Sequence, residues 1–234
     1  MIEEIDSETY LFISKYKFQI FLFDKRKLKN LYNKELSLDN EFNFHDVSNL
    51  LKFLDENIFK IEKLVGYFIK DIILIIEKDE NLIIDMGIKK KNYGNSINQK
   101  YLENSLSELK DLFKESHQNQ TIMHMIITNY IINGKNYSSF INDLISDHLC
   151  LEVNFITISN DLIILFEKVL EKFQIKINYY VCGNYLKKFF KDDNAELSEM
   201  AYKLKNGENH NEVAVVPKII ENKGFFEKFF QLFS

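Results

Sequence analysis

The side chains able to do chemistry are few and scattered. The chain has five histidines (His45, His117, His124, His148 and His210) and two cysteines, Cys150 and Cys182. A structural metal centre is assembled from such ligands paired a few residues apart, and no two of these fall at that spacing, so no metal set is expected. His124 lies among Ile122, Met123, Met125 and Ile126, which reads as a hydrogen-bonded strand histidine. Both cysteines lie in apolar, strand-like runs with no adjacent base to raise a thiolate, so they read as reduced, buried thiols. Asp85-Met86-Gly87 follows an apolar run and has the outline of a phosphate-loop entrance. It continues into Lys89-Lys90-Lys91 with neither a threonine nor a second glycine, and reads as a strand end. Asp192-Asp193 reads as solvated charge at a turn or helix start. These residues make no catalytic, metal or cofactor set, and the chain is expected not to be an enzyme.

The elements that would position any site follow from periodicity. Residues 10–14, 18–23 and 27–36 are rich in β-branched and aromatic side chains and are separated by charged breaks, predicting a strand meander. Over residues 45–65, Val47, Leu51, Leu54, Ile58, Ile61 and Val65 recur at steps of three and four, predicting an amphipathic helix. Residues 68–76 and 82–88 flank a polar Lys-Asp-Glu-Asn and are predicted as a strand pair joined by a turn. Asn98 is expected to cap a helix that buries Leu102, Leu106, Leu109, Leu112 and Phe113. Strands follow at 121–132 and 149–158, a helix at 160–173, a strand at 175–181, and short helices at 185–190 and 197–204. The order predicts an α/β (α+β) protein without internal repeats.

Composition narrows the function classes. The 234 residues contain seven glycines and one proline, with 46% apolar and 28% charged residues. Collagen-like, glycine-loop and largely disordered architectures are excluded on that balance. Thirty basic residues against thirty-five acidic ones leave a net charge of −5, with the two signs interspersed. Phosphate neutralisation needs a concentrated basic face, so a nucleic-acid partner is not expected. The first ten residues have no basic region and no apolar core, unlike a secretory signal, and no apolar run approaches the ~20 residues that span a bilayer.

Residues 206–222 hold Asn-Gly, a polar Glu-Asn-His-Asn run and Pro217, and read as a linker. The last twelve residues, 223–234, are Lys-Gly-Phe-Phe-Glu-Lys-Phe-Phe-Gln-Leu-Phe-Ser. At ~100° per residue, Phe225, Phe226, Phe229, Phe230, Leu232 and Phe233 fall within one arc of ~160°, with Glu227, Lys228, Gln231 and Ser234 opposite. That one-sidedness predicts an interfacial membrane helix, its phenylalanines buried among acyl chains and Lys223 and Lys228 near the headgroups. Each basic residue adds only about 1 kcal/mol of attraction to anionic lipid. Attachment is therefore expected to be reversible for one copy and stable for several, which predicts self-association.

Residues 121–134, Thr-Ile-Met-His-Met-Ile-Ile-Thr-Asn-Tyr-Ile-Ile-Asn-Gly, are similar to a stretch of FtsA, the bacterial actin-like cell-division family. Ile122, His124, Ile126, Tyr130 and Gly134 fall on that pattern, while Ile127 replaces a proline and Asn133 an aspartate. Leu149, Glu152, Val153 and Thr157 match the next strand of the family in register, and the final aromatic segment resembles its membrane-targeting helix. The resemblance implies a single actin-like lobe (8–85 and 159–205), an inserted strand-helix-strand-strand subdomain (86–158), a linker (206–222) and the terminal helix (223–234). Where the family grips ATP phosphates with Asp-Ile-Gly-Thr, this chain has Phe12, Ile13, Ser14 and Lys15. The glycine-bearing second lobe has no counterpart after Val181. The implied protein is a membrane-tethered, self-associating, non-catalytic scaffold of the division machinery at the cytoplasmic face of the inner membrane. FtsZ and other division proteins would be its partners, with FtsZ in doubt because the family binds it through the second lobe. Two alternatives are a PilM-like actin-fold platform of a pilus or secretion system and an FtsA-like protein that retains nucleotide binding.

Overall fold

The computed structural model describes residues 6–78, 82–191 and 193–213. They form a mixed α/β chain of two sheets, divided into two units. Unit 1 comprises residues up to 80 and 161–208, and unit 2 comprises 81–160 together with the chain from 209 onward.

Unit 1 begins with the meander β1 (Ser7–Ile13), β2 (Lys17–Asp24) and β3 (Lys29–Ser37), followed by α1 (Ser48–Val65) and β4 (Asp71–Ile76). The chain returns through α3 (Asn160–Glu171), β9 (Lys176–Cys182), α4 (Gly183–Phe189) and α5 (Leu197–Lys205). The sheet order is β3-β2-β1-β4-β9, antiparallel across the meander and parallel over β1, β4 and β9. Every residue from Ile72 to Ile76 is buried, the pattern of a central parallel strand covered on both faces. Tyr10, Phe12, Phe21, Phe23, Ile73, Ile75 and Val181 face α4 and α5, packing on Leu186, Met200, Ala201 and Leu204. Residues of the other parity face α1, where Phe18 meets Phe53 with ring centroids 6.0 Å apart.

α1 begins at Ser48, three residues later than the apolar spacing alone suggests. The Asp46 carboxylate accepts from Ser48 N (3.0 Å) and the Asn43 side chain from His45 N (2.9 Å). Such Asx turns hold the backbone out of the helix. At the other end Gly66 takes the left-handed conformation (φ 80°) and donates to Glu62 O at 2.8 Å.

Unit 2 runs β5 (Ile83–Ile97), α2 (Gln99–Ser116), β6 (Gln120–Ile132), β7 (Lys135–Tyr137) and β8 (Leu144–Ser159), and ends with β10 (Glu212–Val213). Its sheet order is β10-β6-β8-β5, with β7 paired to β6 through an Asn133-Gly134 turn in which both residues have positive φ. The Asn98 side chain accepts from Tyr101 N and caps α2. Leu102, Leu106, Leu109 and Phe113 of α2 enter the core, where Phe113 stacks on Phe155 at 4.7 Å.

Three expectations are corrected. Residues 68–76 and 82–88 are not a strand pair: β4 lies between β1 and β9 in unit 1, and β5 is antiparallel to β8 in unit 2. The fully buried β4 needs partners on both edges, whereas β5 alternates exposed and half-buried residues and suits a sheet edge. β5 also continues through Lys89-Lys90-Lys91, because an edge strand can point lysines at solvent. Its irregularity falls at 91–95, where the Asn92 and Asn95 side chains bond each other's backbone carbonyls (2.6 and 2.8 Å). Finally, the predicted linker includes β10, which adds a strand to β6.

Two buried groups of unit 2 generate tests. The Glu103 carboxyl on α2 is buried, its Oε1 has no hydrogen-bond partner, and burial pushes its pKa up. Glu103→Met should stabilise the protein at pH 7 by about 1–3 kcal/mol, read as a higher melting temperature. Burial also moves the Tyr130 hydroxyl from 10.0 to about 12. The folded chain then keeps a proton that the unfolded chain loses near pH 10. The share of stability this group contributes is intact below that pH and should fall as pH rises through about 12, by on the order of 2–3 kcal/mol. Tyr130→Phe should remove that share from alkaline denaturation curves, leaving the part due to the other raised tyrosines, Tyr10 among them.

Candidate functional site

The parallel strands β1, β4 and β9 end at Ile13, Ile76 and Cys182, and this carboxyl edge is where α/β sheets ordinarily seat ligands. Its central feature is the β1–β2 turn. Ser14 donates to Lys17 O twice, through N (2.9 Å) and through Oγ (3.2 Å). The Lys15 and Tyr16 carbonyls accept from Phe42 N (2.7 Å) and Leu38 N (2.8 Å), and Lys15 Nζ pairs with Glu41 at 2.9 Å. The turn is thereby held by the segment that follows β3. Phe12, buried just before it, has the Lys17 and Lys187 ammonium groups 6.0 and 5.2 Å from its ring centroid. Lys187 also forms an ion pair with Glu77, at the end of β4. Gly183 opens α4 against this strand end, where an added Cβ would stand 3.0 Å from Glu77 Cβ and 3.3 Å from Ile76 O. Phe12, Ile13, Ser14 and Lys15 bring a hydroxyl and an ammonium group to the edge, without a carboxylate of their own.

Asp85 and Gly87 are interior residues of β5, with Asp85 accepting from Asn154 Nδ2 at 2.8 Å. They form part of the ladder with β8. His45, His148 and His210 are exposed, and His117 stacks on Phe113 at the end of α2. Among the described residues no three His, Cys, Asp or Glu side chains are grouped to hold a metal. Cys182 is buried and its Sγ accepts from Tyr185 N, whereas Cys150 is half-buried, its thiol pKa pushed up mainly by burial.

His124 and Glu212 are brought together across 88 residues. His124 is fully buried on β6, and its Nδ1 lies 2.7 Å from Glu212 Oε1 on β10. Around this bond Ile127 N donates to Asn211 O (2.9 Å), Asn211 Nδ2 donates to Ser138 O (3.2 Å), and Val213 enters the unit 2 core. The sequence marks His124 as hydrogen-bonded but leaves Glu212 inside a presumed linker. The available signal was the apolar run from Val213 to Val216 immediately after it. Phe225, Phe226, Phe229, Phe230, Leu232, Phe233, Lys223 and Lys228, the predicted membrane-binding residues, lie outside the described residues. Among those described, no helix is long and apolar enough to cross a membrane.

No protein-family model matches the sequence, and no curated protein matches it. Solved structures show a partial similarity to this chain. The cytoplasmic domain of EpsL, an inner-membrane component of the type II secretion system of Vibrio cholerae, is 7% identical with a TM-score of 0.36, over 76% of this chain and 57% of that one. The PilM-PilN type IV pilus biogenesis complex is 6% identical with a TM-score of 0.46, over 78% and 49%. A Bacteroides thetaiotaomicron protein of actin-like ATPase fold and unknown function is 15% identical with a TM-score of 0.31, over 82% and 60%. The chain thus spans about half to three-fifths of the length of these structures.

The β10 clasp is open to direct measurement. Glu212→Ala leaves the buried His124 without its carboxylate and should cost about 1–3 kcal/mol. The protection of the Met125–Ile127 amides against hydrogen exchange should fall more than that of the α2 amides. Equal loss across unit 2 would instead mean that β10 is not a separate clasp.

Proposed function

We propose that this chain is a non-catalytic, membrane-tethered scaffold that associates with itself, of the FtsA-like kind that serves bacterial cell division. The observation that carries this reading is the interrupted architecture. A five-stranded mixed sheet is completed only after the chain has made the unit β5-α2-β6-β7-β8 between β4 and α3. Apart from the short β7, this is like the strand-helix-strand-strand insertion that the resemblance of residues 121–134 and 149–159 implies. Two further features support it. The aromatic arc of residues 223–234 supplies an interfacial anchor without requiring a spanning helix. Phe12 at the end of β1 and Ser14 in the following turn stand where an actin-type ATPase needs a carboxylate and a glycine. The partners on this reading are the cytoplasmic membrane surface, further copies of the chain and other division proteins, at the cytoplasmic face of the inner membrane.

A platform of a pilus or secretion system would share the same fold, and a chain retaining nucleotide binding would share its sheet. Sedimentation with anionic phospholipid vesicles tests the anchor. The intact chain should pellet, while a chain ending at Asn222 and the Phe229→Glu variant should stay in the supernatant; equal pelleting of all three would remove the membrane role. In the same preparation, millimolar ATP with magnesium should leave the melting temperature unchanged, and a clear rise would restore the nucleotide-binding reading. A fluorescent fusion gathering at mid-cell separates division from a pilus or secretion platform.

A further inference from the structure

Unit 1 contains an open cleft of about 680 Å³ at the amino ends of β1 and β4, the sheet edge opposite the β1–β2 turn. It lies where two neighbouring parallel strands begin before their pairing does. The β1–β4 register starts only at Tyr10 and Ile73. Among the described residues, Ser7, Glu8 and Thr9 pair with β2 alone, and Asp71 and Ile72 with β9 alone. Both strand ends therefore line the cleft with a β-partner on one side only among those residues. Strand edges left open inside a cleft are templates for an added strand.

The walls suit an extended chain, whose side chains alternate between two faces. On the α1 face the cleft is apolar, with Leu22, Val65 and Ile72. On the α5 face it is charged: Glu8 accepts from Lys205 Nζ and from the buried Tyr10 hydroxyl, both at 2.6 Å. The roof is the connector after α1, tied to β1 by a 3.1 Å hydrogen bond between Tyr67 and Ser7 hydroxyls. Phe68 on this roof is 80% exposed, unusual for so large an apolar side chain. Lys70 at the mouth is exposed, and among the described residues its ammonium group has no ion-pair partner. Lys25 is held by Asp6 at 2.6 Å, but the carboxylate is nearly half-exposed and such pairs exchange partners at little cost. The volume falls within the range of sites that hold small ligands.

We propose that this cleft binds a short extended peptide as an added strand along the amino end of β1. Its aliphatic side chains lie against Leu22, Val65 and Ile72, and an acidic side chain meets Lys70. The proposal goes beyond the scaffold reading and does not rest on it, since it requires neither the membrane segment nor self-association.

The test is selection of a random heptapeptide display library on the immobilised full chain, followed by titration of the enriched peptides. The expected sequences carry aliphatic residues at alternate positions and one acidic residue. Their affinity should fall at least about tenfold on Lys70→Glu or Phe68→Ser, both exposed positions at which folding is preserved. It should also fall when one central peptide amide is N-methylated, because an added strand needs that donor. Lys89→Glu, on the exposed edge strand β5 of unit 2, should leave affinity unchanged. The proposal is overturned if no sequence is enriched or if the enriched peptides bind the Lys70 and Phe68 variants at full strength. Tolerance of N-methylation, or loss of binding through Lys89→Glu instead, would overturn it equally.

Discussion

β4 has five consecutive isoleucine and leucine side chains and buries all of them. A strand of that kind is stable only with hydrogen-bonded neighbours on both edges and apolar cover on both faces, since unpaired backbone groups in such surroundings cost several kcal/mol each. One neighbour, β1, precedes it in the chain. The other, β9, lies about a hundred residues later and cannot be reached until unit 2 has been made. The cover is likewise divided, with α1 formed before β4 and α4 and α5 formed after β9. Unit 1 is therefore held together by contacts between its two chain segments. The inserted unit is a long loop whose closure is offset by its own core.

That core explains why unit 2 can interrupt unit 1. Its sheet is antiparallel throughout, with β8 paired to β6 on one edge and to β5 on the other, and α2 fills one face with leucines and Phe113 stacked on Phe155. The last piece again comes from far along the chain. β10 contributes only two paired residues, yet Val213 enters the core and Glu212 meets the buried His124.

Elements with a strong period were legible in the residues. The three- and four-residue steps of α1, the Asn98 cap of α2 and the aromatic meander all follow from side-chain spacing, because helix and strand geometry fixes which positions share a face. Boundaries shifted where a polar side chain bonded the backbone, as Asp46 does at the start of α1, or where an edge strand ran through lysines, as β5 does. The candidate site was legible in one direction only. Phe12 to Lys15 can be read as lacking a carboxylate, but the two ammonium groups beside the Phe12 ring come from β2 and α4. The cleft at the opposite edge has no local signature, because it exists where two strands fail to pair.

The residues alone decide what is local: the α/β alternation, the amphipathic faces and the one-sided aromatic terminus. Each depends on residues within a turn or two of one another, where covalent geometry sets the spacing. The tertiary structure decided which strands are partners. It separated β4 from β5 despite their adjacency, joined β4 to β9 and β10 to β6 over long intervals, and placed His124 against Glu212. Such pairings are chosen by the burial that both partners gain together, a quantity that belongs to the folded ensemble of contacts and to no single stretch of chain.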